Sequence, residues 1–146
     1  MTEYSFSQAR SSLTEVIDKV QRLAPVVIRP RKRSEDESII LSRELMHRLL
    51  KECEHGLKLV SHFIPEPDSS ITLSLEPLGL VATANTREAV IQEMAEELIW
   101  YAKEYLDAEN IALYSRAPNR KSHLPFVIQI ALCDGVDDVV KLAGLA

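Results

Sequence analysis

Behind Ser7, residues Ala9, Leu13, Val16, Ile17, Val20 and Leu23 recur at three- and four-residue steps, the stripe of an amphipathic helix. The spacing predicts a helix over about 8–23 with Ser7 as N-cap. Pro25 stops it, and the β-branched run Val26-Val27-Ile28-Arg29 reads as a strand closed by Pro30. Arg31 to Ser38 holds no apolar residue to bury and reads as a solvated loop, with Ile39-Ile40-Leu41 returning as a strand. Tyr4-Ser5-Phe6 offers a third strand. Ser42 then caps a helix whose Leu45, Met46, Leu49, Leu50 and Cys53 share one face, and Gly56 stands where a left-handed C-terminal cap belongs.

Residues 57–64 fit helix or strand equally well. Pro65-Glu66-Pro67-Asp68-Ser69-Ser70 reads as a stiff connector. Beyond it, Ile71-Thr72-Leu73-Ser74-Leu75 alternates strictly, and Leu78 to Ala84 is a second apolar run; together they predict a hairpin. Thr86 caps a long helix patterned by Ala89, Val90, Glu93, Met94, Glu97, Leu98, Tyr101 and Tyr105, reaching about Asp107. After the loop Ala117 to Lys121, Leu124, Val127, Ile128, Ala131 and Leu132 keep helical spacing with Pro125 in the first turn, though the β-branched run also suits a strand. Asp134-Gly135 breaks it before a short terminal helix from Val136 to Leu142. The pattern is α+β. It divides into a head over 1–56, made of a small sheet with helices, a connector over 57–70, and a second small unit over 71–146, made of a hairpin, a long helix and C-terminal helices.

Charge sharpens this division. The chain of 146 residues carries 17 Lys and Arg against 22 Asp and Glu, a formal net of -5. Residues 1–33 hold seven basic and three acidic side chains, whereas residues 69–146 hold six basic and eleven acidic. A basic head on an acidic body points to a polyanion partner at one end only. Length and an ordinary 46 % hydrophobic content exclude a large multidomain enzyme and a disordered chain. No apolar run suits a membrane span, and the first residues lack an export signal, so a cytoplasmic location is expected. Cys53 and Cys133 cannot build a disulfide framework and read as core thiols in a reducing compartment.

The head's order of elements (Tyr4-Ser5-Phe6-Ser7-Gln8-Ala9-Arg10, a helix ending in Val20, Pro25-Val26-Val27-Ile28-Arg29, a polar turn, Ile39-Ile40-Leu41 and a further helix) resembles the prevent-host-death Phd/YefM antitoxin family over roughly 55 residues. The resemblance implies a homodimeric DNA-binding fold, an autorepressor whose helix start and nearby basic residues meet operator DNA while the rest of the chain holds a toxin. On that basis Arg10, Ser11, Arg29, Arg31, Lys32 and Arg33 are the expected DNA-binding residues. Residue chemistry agrees: a guanidinium pairs with guanine edges or phosphate, and unpaired helix N-terminal amides attract phosphate. The loop from Pro30 to Ser38 departs from the family's short glycine-containing turn. Arg31 to Arg33 is also followed at once by Glu35-Asp36-Glu37, which offers local neutralisation. Dimerisation would double the basic head into a site for two half-sites.

In the second half, Thr83 to Ala89 is similar to the strand-to-helix junction of HicB-like antitoxin domains. The whole resembles Phd-like antitoxins with a folded C-terminal half that belong to RelE/RelB systems. Toxins of that class are basic ribonucleases, which the resemblance implies as partner. Glu93, Glu96, Glu97 and Glu104 on the long acidic helix, with Glu88 and Asp107 nearby, are then the expected toxin-binding residues. An equally ordinary reading of that helix is a solvated face. The alternative function is a dimeric interaction adaptor that keeps the fold without binding DNA.

No nucleophile elbow, zinc-protease, P-loop or dinucleotide motif is present, and four glycines leave little for a phosphate cradle. No enzymatic activity, cofactor or metal is expected. His47, His55, His62 and His123 read as surface histidines. Trp100, Tyr101, Tyr105 and Tyr114 read as core and interface.

Overall fold

The computed structural model describes residues 1–53 and 56–146. It is α+β and separates into two compact units, Met1–Cys53 and Glu54–Ala146.

In the first unit, β1 (Thr2–Tyr4) lies parallel to β2 (Val26–Ile28), and β3 (Ser38–Ile40) returns antiparallel to β2. Two helices make the crossover, α1 (Phe6–Ser11) and α2 (Leu13–Gln21). The expected single helix is thus divided at Ser12, and its cap is Ser5, not Ser7. Ser5 Oγ accepts from Gln8 N at 3.2 Å while Gln8 Oε1 accepts from Ser5 N at 2.9 Å. This reciprocal capping box satisfies two donors that a start at Ser7 would leave open. It also ends the first strand at Tyr4, so the strand expected at residues 4–6 lies two residues earlier. Tyr4, Ala9, Val16, Val20 and Val26 form the core, with Ile28 and Ile40 against it. The Tyr4 hydroxyl donates to Glu15 Oε1 at 2.8 Å and accepts from Lys19 Nζ at 2.7 Å, tying β1 to α2.

Helix α3 (Arg43–Glu52) starts where expected, with Ser42 Oγ accepting from Leu45 N at 3.1 Å. It ends at an extended Cys53. Gly56 has a positive φ but stands beyond the helix, so it is not the expected cap. The apolar stripe of α3 is not buried: none of its residues is fully covered, and Leu49 is 53 % exposed. Cys53 is exposed and so is no core thiol.

The second unit opens with β4 (Val60–Pro65), which settles 57–64 as containing a strand. It pairs antiparallel along its whole length with β5 (Ile71–Glu76), which pairs with β6 (Leu80–Ala84). Residues 57–70 are therefore not a connector. Pro65 to Ser70 is the turn of the β4–β5 hairpin, stapled by Glu66 N to Ser70 O at 2.9 Å and by Asp68 accepting from Ser70 N at 3.0 Å. Phe63, Leu73 and Ala82 face each other across the sheet.

On that face lies α4 (Arg87–Leu106), 20 residues capped by Thr86 Oγ1 accepting from Ala89 N at 3.1 Å. Its Val90, Met94, Ala95, Leu98, Tyr101, Ala102 and Tyr105 are buried. They pack on Leu73, Leu75 and Ala82, and on α6 (Leu124–Leu132) and α7 (Val136–Leu142). The Arg87 guanidinium caps the Phe63 ring at 3.8 Å, fastening the first turn of α4 to β4.

The sequence pattern missed a short helix, α5 (Ile111–Tyr114), and a single 3₁₀ turn at Lys121–His123 that leads into α6. The chain closes with a Schellman cap. Gly144 at φ +68 allows Leu145 N to reach Val140 O at 3.0 Å and buries the Leu145 side chain.

Candidate functional site

The expected DNA-binding residues of the first unit fall into two groups. Arg29 sits just past β2 and pairs with Glu3 Oε2 of β1 at 2.7 Å. Arg31 reaches Glu35 through Nη2 at 2.8 Å and Nε at 3.4 Å, while its backbone N–H donates to the same carboxylate. Both acids are held below their ordinary pKa, first by hydrogen bonds from these arginines, and both arginines are raised. These two cations are already neutralised within the chain.

Arg10, Lys32 and Arg33 are exposed and have no ion pair among the described residues. Arg10 lies in the last turn of α1, not at a capped helix start as expected, and directly precedes the α1–α2 joint at Ser12. Ser12 makes no side-chain cap for α2. The Ser11 hydroxyl donates back to Gln8 O at 3.1 Å. Phe6 and Arg10 are four residues apart and share a face of α1. The Arg31 guanidinium lies over the Phe6 ring at 5.0 Å. That contact brings the basic loop after β2 to the side of α1 that carries Arg10. The whole first unit has ten basic and eight acidic side chains, so its positive excess depends on these local groups.

The second unit is opposite in character, with seven basic and fourteen acidic side chains. On α4, Glu93, Glu96 and Glu97 are exposed and carry no ion pair among the described residues; Gln92 Nε2 donates to Glu96 at 3.2 Å. Glu104 stands apart from them: it is half-buried and accepts from the Tyr114 hydroxyl at 3.4 Å. Trp100 stands on the same outward face, 59 % exposed, amid these carboxylates. This exposure excludes the core half of the expectation for Trp100 and leaves the interface half. The decisive signal was its phase: Met94, Leu98, Tyr101 and Tyr105 fill the buried stripe and leave position 100 outside it.

Beneath α4, Tyr101 Oη and His123 Nδ1 are 2.6 Å apart, and His123 is 4 % exposed. His123 is therefore a core residue, not a surface one. Burial and then the nearby Arg120 charge lower its pKa. His55 lies outside the described residues. No group of three His, Cys, Asp or Glu among the described residues could hold a metal ion. No described helix is long and apolar enough to cross a membrane.

A family model described as PHD_like, antitoxin of a toxin–antitoxin system, RelE/RelB, matches residues 1–144. The chain belongs to this antitoxin family. The crystal structure of an antitoxin part of a proposed toxin/antitoxin system from Syntrophomonas wolfei subsp. wolfei is similar over 99 % of this chain and 95 % of that one, with a TM-score of 0.70 at 27 % identity. No curated protein matches. The structural likeness spans both units, so the folded second half of this antitoxin has a counterpart in a solved relative. The acidic face of α4 and the basic side of α1 are thus features of an antitoxin.

Proposed function

We propose that this antitoxin neutralises a RelE-type toxin through the outward face of α4, and that its first unit dimerises and binds operator DNA as an autorepressor. The observation that carries the toxin half is Trp100. An exposed indole with Glu96 and Glu97 one helical turn away and Glu93 two turns away suits a basic partner, because aromatic anchors dominate interface energies and carboxylates select the charge of what approaches. Glu104, drawn inward to Tyr114, lies at the border of this face.

For the DNA half, Arg10, Lys32 and Arg33 remain available on the α1 side. The β-α-α-β-β-α order of the first unit supports a Phd/YefM-type domain. The uncovered stripe of α3 supports a homodimer, since burial against a second copy removes its exposed Leu49 from water. The junction of β6 and α4 at Thr86 carries the HicB-like reading of the second half. The pairing of Arg29 and Arg31 favours a second reading, in which the protein is a dimeric adaptor that no longer binds DNA.

One experiment separates the readings. The full chain is mixed with the protein encoded by the reading frame beside its gene and with the promoter upstream, over a salt series. Capture of that protein together with promoter retardation that falls steeply with salt supports the full proposal. Capture without retardation supports the adaptor. No capture removes the toxin reading.

A further inference from the structure

A cleft of about 380 Å³ opens between α4, α6 and the turn into α7. Its walls are apolar, with Ile99, Ala102, Leu106, Ile130 and Val139, while Lys103 and Asp134 stand among its lining. A second, polar depression shares Asp134 and Gly135 with it and continues past Gln92, Asp137 and Asp138. The apolar cleft therefore adjoins an acidic depression on one side. On α4, Lys103 lies on the helical row of Glu96, next to that of Trp100, so the cleft also borders the proposed docking face.

Three constraints define an occupant. The cleft is large enough for a bulky side chain and its walls are mostly apolar, so what fills it is apolar. Around it, carboxylates outnumber Lys103, so what flanks that side chain is cationic. The cleft shares Asp134 and Gly135 with the polar depression beside it, an adjacency that suits a stretch of polypeptide laying an apolar side chain in one and a cation in the other. We infer that the cleft receives an apolar side chain from a basic segment of the toxin, with Glu96, Asp137 and Asp138 meeting the cations on either side of it. The inference rests on the toxin reading above and adds the point at which the partner is anchored.

The full antitoxin is titrated with the protein encoded beside its gene, as wild type and as two single variants. Ala131→Phe fills the cleft from an exposed position in its wall, and Asp137→Lys reverses a charge on the exposed rim. Circular dichroism melts establish that each variant folds, and methyl spectra follow Ile99, Leu106, Ile130 and Val139. Binding weakened at least tenfold by either folded variant, with shifts at those four methyls in the wild type, is the expected result. Unchanged affinity in both variants with unmoved methyls, while Glu93→Lys/Glu97→Lys abolishes binding, overturns the cleft and leaves the toxin reading standing. Failure of the wild type to bind overturns both.

Discussion

Tyr101 Oη and His123 Nδ1 meet at 2.6 Å in the core of the second unit, joining α4 to the 3₁₀ turn before α6. The rings lie 6.0 Å apart, and the neighbouring Tyr105 hydroxyl donates to Arg120 O at 2.9 Å. Together these bonds hold the irregular stretch after α5 onto the long helix. Because burial lowers the His123 pKa, the folded state resists protonation that the unfolded chain accepts. The contribution of neutral His123 is complete above its ordinary value of 6.5 and is lost as pH falls through the folded value. We expect urea midpoints to decline between pH 7.5 and 5.5, and to decline less in His123→Gln. Tyr101→Phe removes one partner of a buried pair and should cost about 1–3 kcal/mol at pH 7.5. A midpoint independent of pH in this window counts against the histidine's part.

The divided fate of the basic residues yields a second expectation. Lys32 and Arg33 have no ion pair among the described residues, whereas Arg29 and Arg31 are engaged by Glu3 and Glu35. Lys32→Ala/Arg33→Ala should flatten the salt dependence of promoter binding, each lost phosphate contact lowering the log–log slope by about 0.9. Glu3→Gln and Glu35→Gln should tighten binding by releasing the paired arginines. Arg10→Ala should remove most of the discrimination between promoter and unrelated duplex while leaving the melting curve in place. Equal binding of both duplexes by the wild type would reassign Arg10 to plain surface.

Much of this arrangement was legible in the residues. The hairpin β5–β6 and helix α4 follow strong local patterns, and Thr86 with the Leu98–Tyr101–Tyr105 stripe marks α4 in the sequence, whereas α6 and α7 start without a side-chain cap and the β-branched run of α6 suits a strand as well. Where two local signals competed, the pattern failed. Ser5 and Ser7 are both good caps, and the winner was decided by Gln8 reaching back to Ser5. Prolines at 65 and 67 suggest a linker, but a tight turn between paired strands uses the same residues. His123 lies in the core instead of on the surface, and Trp100 is excluded from the core, for one reason: burial depends on which face of a helix or turn a neighbour covers, and a polar residue in the core is satisfied by a partner 22 positions away that periodicity does not show.

Helix α3 is amphipathic by sequence yet has no fully buried residue, and Leu49 and Ile39 are both more than half exposed. Apolar side chains in that number on a small unit gain by association. Leu49→Asp should convert the full chain from dimer to monomer, read as a halved mass by light scattering. Because Leu49 adds little to the core of its own unit, the near-ultraviolet spectrum should be retained. A wild-type chain that is monomeric at micromolar concentration contradicts this use of α3.

Trp100 gives the most direct test of the docking face. With 59 % of its surface in solvent, it contributes little to folding, so Trp100→Ala should change the unfolding free energy by no more than about 0.5 kcal/mol. In the complex, a central indole truncated to a methyl group typically costs about 2 kcal/mol or more, which is roughly a 30-fold rise in Kd. The neighbouring carboxylates should act differently. Glu93→Gln and Glu97→Gln should slow association and weaken its salt dependence while leaving dissociation nearly unchanged, because rim charges steer the encounter and the anchor holds the complex. Stopped-flow kinetics with the toxin separate the two effects. If Trp100→Ala leaves the dissociation rate untouched, the partner does not bury this indole.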